Sequence, residues 1–232
     1  MKTLTIKLAG PLQAYGNEAS FERRTTGDYP SKSAVIGMLA AALGYERGDQ
    51  RILVLNDLRF AVRIDQVGKM LTDFQTVEWK KDMRKITYRD YLQDAVFVVA
   101  IGTEDEGLMT QIKTALSHPH FQLFLGRRSN VPAGLLKVQE HTDDPVSILQ
   151  TLPWQAAKWY QKRQRQSEQT VEIIADADLL PRKRSRMVKD KVISFDQRDR
   201  RYGFRAVATE RVSLKNEYFT ENGTQHDIMD FL

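Results

Sequence analysis

The chain has 232 residues, 41% of them hydrophobic, with no cysteine and a formal net charge of +5. That length and apolar content suffice for one large domain, or a main domain with a smaller companion, and exclude a disordered chain. Without cysteine there is no disulfide or thiolate chemistry, which fits a reducing cytoplasm, and the apolar runs 34–43 and 95–101 fall well short of the roughly 18 residues a membrane span needs.

Met1, Lys2 and Thr3 lead straight into a strand pattern at 4–9, so no signal peptide is expected. A turn at 10–16 follows, with a glycine at each end, Gly10 and Gly16, and with the amide of Gln13 and the ring of Tyr15 between them. The polar loop after it carries Arg23, Arg24 and Lys32, and a helix starting at Ser31 or Ser33 adds N–H groups that favour anions. These are the parts of a site for a phosphate-rich, base-bearing polymer. They are also, and more commonly, the parts of an ordinary strand, loop and helix.

Between 57 and 67, Leu58, Phe60, Val62 and Ile64 alternate with Arg59, Ala61, Arg63 and Asp65, the pattern of a strand with one wet face. Residues 95–101 read as a second core strand. The segment 68–93 between them interleaves Lys69, Lys80, Lys81, Arg84, Lys85 and Arg89 with Phe74, Trp79, Tyr88 and Tyr91. It is too polar for core and reads as a projecting hairpin that suits single-stranded nucleic acid, with a purely protein-binding hairpin as the alternative. Residues 104–117 have helical spacing stopped by Pro119, and Phe121, Leu123 and Leu125 read as a strand.

Gly126-Arg127-Arg128-Ser129 then places two guanidiniums on a turn, where they can grip phosphates or stack on bases; alternatively one of them caps carbonyls or pairs with a carboxylate. The element order predicts an α+β fold of the ferredoxin-like or RRM-like split βαβ type over 1–131, with the hairpin 68–93 as a long insertion. Its sheet is expected to be antiparallel with helices on one face. Residues 132–232 read as a smaller β-rich C-terminal part with an aromatic segment at 154–160, a Gln/Arg-rich run at 161–169 and a strand at 171–175. Residues 182–215 hold 12 Lys or Arg against 4 Asp or Glu, an excess of 8, so the rest of the chain is net −3. Such a concentrated stripe suits a polyanion partner or a solvated face. Within it, Arg182, Lys183, Arg184 and Arg186 read as a mobile basic loop. On a strand, Arg201, Gly203 and Arg205 would share one face, with Tyr202 and Phe204 on the other, toward the core.

The run Leu8-Ala9-Gly10-Pro11-Leu12-Gln13-Ala14-Tyr15-Gly16, followed by Pro30-Ser31-Lys32-Ser33-Ala34-Val35-Ile36-Gly37-Met38-Leu39, resembles the opening of the "Cas five" family of CRISPR-associated proteins, subtype I-E. The stretches 88–97, 118–129 (with Leu125-Gly126-Arg127-Arg128-Ser129) and 201–207 are similar to later family segments, in order, up to about Val212. The family usually has Trp where this chain has Tyr15, and no family pattern continues past Leu214. The resemblance implies a non-catalytic Cascade subunit that holds the 5′ handle of CRISPR RNA, caps the guide-bound filament, and meets target DNA through the complex, with no membrane. The hairpin would be a thumb against a CasC-type backbone subunit, and another surface would meet a CasA-type large subunit. The RNA-binding set so implied is Gln13, Tyr15, Gly16, Arg23, Arg24, Ser31, Lys32, Ser33, Lys80, Lys81, Arg84, Arg89, Arg127, Arg128, Ser129, Arg201 and Arg205.

The alternative from another class is a metal-free endoribonuclease that processes CRISPR precursor RNA, as in subtype I-C relatives. His118 and His120 beside the arginine turn, with Tyr15 and Lys32, are its candidate groups. No phosphate-loop, dinucleotide, serine-elbow or His-Glu-x-x-His motif is present, and neither metal nor cofactor is expected.

Overall fold

The computed structural model describes residues 1–16 and 22–220. The middle of the polar loop and the end of the chain past Leu214, from 221 on, lie outside those residues. The strands are β1 (Lys2–Ala9), β2 (Leu12–Gln13), β3 (Arg23–Arg24), β4 (Arg59–Gln66), β5 (Lys69–Lys80), β6 (Met83–Gln93), β7 (Val96–Thr103), β8 (Lys137–His141), β9 (Glu168–Asp176), β10 (Ser185–Ser194) and β11 (Arg201–Lys215). The helices are α1 (Lys32–Leu43), α2 (Arg51–Val54), α3 (Glu106–Ser117), α4 (Pro145–Thr151) and α5 (Lys158–Arg163). The fold is mixed α+β with strands in the majority.

A seven-stranded sheet runs β10-β11-β9-β4-β7-β1-β8, with every pairing antiparallel. Strands from both sides of residue 131 share it, since β8 pairs with β1 and β9 with β4. A second sheet is built on β6, which pairs with β5 as the hairpin, with β2 antiparallel and with β3 parallel. The hairpin exposes Phe74, Trp79, Met83 and Ile86 along with its cations.

Leu4, Ile6, Phe60, Val62, Phe97 and Val99 point to one face and pack under α1 and α3. Helix α1 starts there because Ser31 accepts the Ala34 N–H (3.3 Å), and it ends at Gly44, whose φ of 78° a side chain would strain. Three sequence expectations change. The face with Ala61 and Arg63 is not wet, because Ala61, Val98, Ala100 and Ile173 are buried under Val146 and Leu149 of α4, so helices cover both faces. Arg63 and Asp65 are tolerated inside as an ion pair (2.7 Å), with both side chains 0% exposed. Residues 121–125 are not a strand: the Phe121 and His120 N–H groups donate to Ala41 and Ala42 carbonyls at the end of α1, and the Leu125 N–H to Asn130. Those backbone groups cap a helix and close a turn, and β8 takes the sheet edge instead.

Candidate nucleic-acid interface

Two turns meet at one end of the main sheet. The Ala14 N–H donates to the Leu125 carbonyl (3.1 Å), and Gly126, at φ 94°, presses its backbone on the Ala14 carbonyl, where a Cβ would come within 1.6 Å. Buried Asn130 ties the second turn shut by donating to the Leu125 carbonyl (3.2 Å). Turn 126–129 is therefore fixed against turn 10–16, and Arg128 projects from it, exposed.

Beside this junction lies a cleft of about 620 Å³. Gly16 and Gly126 form one wall, Ser31, Ser33 and Gly37 of α1 the floor, and Tyr45, Phe121, Phe124, Phe195 and Tyr202 the aromatic lining. Arg47, Arg128 and Arg200 reach into it, all exposed and, among the described residues, without a carboxylate partner. Phe195 and Tyr202 meet edge to face at 6.3 Å. Flat rings beside guanidiniums that meet no carboxylate among the described residues, with two glycines in the wall that let a ligand approach, form a surface complementary to unpaired nucleotides.

Ser31, Ser33, Gly16 and Arg128 of the expected set thus converge, whereas several others are spent inside the protein. Gln13 is fully buried; its amide donates to the Ala95 carbonyl (2.7 Å) and its oxygen accepts the Tyr15 hydroxyl (2.6 Å), so it presents no surface to a base edge. The Tyr15 ring packs on Phe97, and burial pushes its phenol pKa well above the ordinary range, so it is core and not a stacking platform. Lys32 is buried against Asp176 (3.2 Å), and desolvation lowers its pKa against the opposing pull of that carboxylate. Arg205 lies inward between Asp176 (2.5 Å) and Asp190 (2.7 Å). Asp190 also accepts the Lys32 backbone N–H (2.9 Å), so the expected anion site at the start of α1 already holds a carboxylate.

Arg23 pairs with Asp90 (3.2 Å), while Arg24 is exposed and lends its carbonyl to Arg127 (2.8 Å). Arg127 lies over the Tyr91 ring at 4.5 Å and so clamps β3 to the root of the hairpin, with Nη1 buried and unpartnered. This is the capping alternative, realised for Arg127 and not for Arg128. Ser129 donates to Asn130 (3.1 Å). Lys80 and Lys81 lie exposed near the hairpin tip, Arg84 pairs with Glu78 (3.6 Å), and half-buried Arg89 has an unpartnered Nε; all belong to the hairpin, not to the cleft. Arg201 pairs with Asp199 (3.0 Å). Phe204, expected in the core, is 62% exposed, and Tyr202 lines the cleft. Two of the four supposed loop cations are engaged, since Lys183 pairs with Glu210 (3.3 Å) and Arg186, on β10, donates to the Tyr29 hydroxyl (3.1 Å), while Arg182 and Arg184 are exposed. Sequence reasoning missed Tyr45, Arg47, Phe121, Phe124, Phe195 and Arg200. Arg200 lay within the basic stripe, but nothing local distinguishes it from its paired neighbour Arg201.

The groups of the nuclease alternative do not assemble. Tyr15 is core, Lys32 is ion-paired, His120 packs on Gly44 and His118 ends α3. Among the described residues no group of three or more His, Asp or Glu could hold a metal, and no helix is long and apolar enough to cross a membrane.

Comparison with known proteins fits this strand-dominated α+β architecture. The chain matches the family described as CRISPR-associated protein (Cas_Cas5) over residues 3–208, and it belongs to that family. It is 34% identical over 146 residues to the CRISPR system Cascade subunit CasD of Escherichia coli (strain K12), a match spanning 54% of this chain and 65% of that relative. It is similar, with a TM-score of 0.76 and 30% identity, to a chain of a CRISPR RNA-guided surveillance complex, covering 99% of this chain and 98% of that one. A solved Cas protein is similar at a TM-score of 0.64 and 29% identity, covering 94% and 97%.

Proposed function

We propose that this chain is a Cascade subunit that holds the 5′ handle of CRISPR RNA without cutting it and caps one end of the guide-bound filament. The observation that carries this reading is the cleft, where the family-like turns 10–16 and 126–129 and the start of α1 converge with five rings and three arginines that meet no carboxylate among the described residues. Arg47, Arg128 and Arg200 take handle phosphates, and Phe121 and Tyr202 stack on its unpaired bases, while the Tyr45 ring already carries the Arg51 guanidinium at 4.1 Å. The hairpin serves as the thumb, with Lys80, Lys81 and its exposed apolar side chains set against a CasC-type subunit and the guide. A CasA-type subunit meets another surface, and target DNA is read by guide pairing. The order β8-β1-β7-β4, with α1 and α3 on one face, supports a ferredoxin-like split βαβ reading of the N-terminal part.

Binding of a labelled handle RNA across salt concentrations tests this. Three cleft cations give a log–log slope of about −2, from roughly 0.7 per phosphate for single strands. Arg128→Ala with Arg200→Ala lowers affinity at least about tenfold and flattens the slope by about 1.4. Unchanged affinity in that variant refutes the site. Site-specific cutting of precursor RNA that disappears in His118→Ala or His120→Ala restores the nuclease reading.

A further inference from the structure

The face of the sheet opposite the cleft carries a second cationic, aromatic surface that the handle cleft does not use. Residues 145–167 contain no acidic side chain, while Lys158, Lys162, Arg163 and Arg165 fall within eight positions of one another. All four are exposed, and among the described residues none has a carboxylate partner; Lys158 sits over the Tyr218 ring at 5.2 Å. Between them Trp159 is 55% exposed and braced edge to face on Tyr160 at 5.7 Å, and Tyr160 in turn on Trp154 at 6.0 Å. Helical spacing places Lys162 and Arg163 beside Trp159.

This short helix is held by an unusual amount of buried polar structure. Arg63 donates to the carbonyls of Leu149, Leu152 and Pro153, while Asp65 accepts from the backbone N–H of Gln155 and, through its own carbonyl, from Trp154 Nε1. Gln66 accepts the Ala157 N–H (3.0 Å) and donates to the Asp94 carbonyl (2.6 Å), which fastens the patch to the root of the hairpin. Gln161 bonds the carbonyls of Trp154 and Ala156 from within.

We propose that α5 and its flanks are a second docking site, for single-stranded nucleic acid, in which Trp159 stacks on an unpaired base and Lys162, Arg163 and Arg165 follow the backbone. A protein-binding patch buries an apolar centre depleted of charge, whereas here cations that meet no carboxylate among the described residues flank an exposed ring. The site is additional to the cleft and does not rest on the handle reading. The root of the hairpin, on which Gln66 anchors it, gives a strand a route between the two faces.

The test uses the full chain with Trp79→Phe, so that exposed tryptophan emission comes from Trp159 while buried Trp154 gives a constant signal. Oligouridylate and oligothymidylate of about ten nucleotides are titrated in parallel. Saturable quenching is expected, and it is lost when Trp159→Phe is added. Lys162→Ala with Arg163→Ala weakens it about tenfold and flattens its salt slope by about 1.4, while Arg128→Ala with Arg200→Ala leaves it intact. Equal response to both oligomers assigns recognition to ring and backbone; a response to the RNA alone supports the site and confines its ligand to RNA. Absence of quenching while anisotropy still reports binding overturns the patch and leaves the cleft reading standing. Loss of quenching in the Arg128/Arg200 variant, or none in the Lys162/Arg163 variant, overturns it too.

Discussion

Replacing Gly126 with alanine should separate the two turns that build the cleft. The new Cβ would lie 1.6 Å from the Ala14 carbonyl oxygen and 2.7 Å from its carbon, whereas ordinary contact begins near 3.4 Å, so the two backbones must part by about 1.8 Å. That movement breaks the 3.1 Å bond from the Ala14 N–H to the Leu125 carbonyl. A lost backbone hydrogen bond costs about 1 kcal/mol, and an L-residue in the left-handed region about 1–2 kcal/mol. The sum is about 2–3 kcal/mol, a fall in Tm of roughly 4–12 °C for a chain of this size. Gly134 supplies the control: its φ is 83° and nothing lies within 4 Å of its would-be Cβ, so Gly134→Ala carries the conformational term alone. Scanning calorimetry of both variants, with handle binding measured alongside, isolates the collision. If the two variants melt together and Gly126→Ala binds the handle normally, the turn-to-turn contact does not organise the cleft.

Arg205→Met strands Asp176 and Asp190 in the interior, and urea unfolding should show a loss of about 3–5 kcal/mol, as for other broken buried pairs; a loss below about 1 kcal/mol would mean that Lys32 alone suffices to neutralise both. Asp90 is held below its ordinary value of 3.8 chiefly by its hydrogen bonds to Arg23. Because the folded value is the lower one, its contribution is complete above the unfolded value and disappears as pH falls through the folded one. The exchange protection factor at Tyr88, whose N–H donates to the Glu22 carbonyl beside β3, should therefore fall on acidification below about pH 4, with no such fall in Asp90→Asn; an identical acid profile in both would free Asp90 of that role.

Features set by neighbours along the chain were legible in the sequence. The Ser31 cap, the alternation of β4 and the Pro119 stop are local, and each lies where its residues put it. What was not legible depends on distant partners. Lys32 and Arg128 are both cations on family-like motifs, yet Lys32 meets Asp176, 144 positions away, while Arg128 meets no carboxylate among the described residues. Tyr15 looked like a stacking ring until the strand bearing Phe97 closed over it. The face with Arg63 looked wet because alternation reveals which side chains share a face, not whether a later helix will cover it. The aromatic lining of the cleft comes from 45, 121, 124, 195 and 202, single residues with no common motif.

The cluster of Lys32, Asp176, Asp190 and Arg205 has a consequence for biosynthesis. It joins the first helix to three strands made late, so the floor of the cleft acquires its electrostatic support only when residue 205 has left the ribosome tunnel. A chain ended between residues 190 and 205 would set one cation, Lys32, against the two carboxylates Asp176 and Asp190, leaving a buried negative charge uncompensated beneath the first helix.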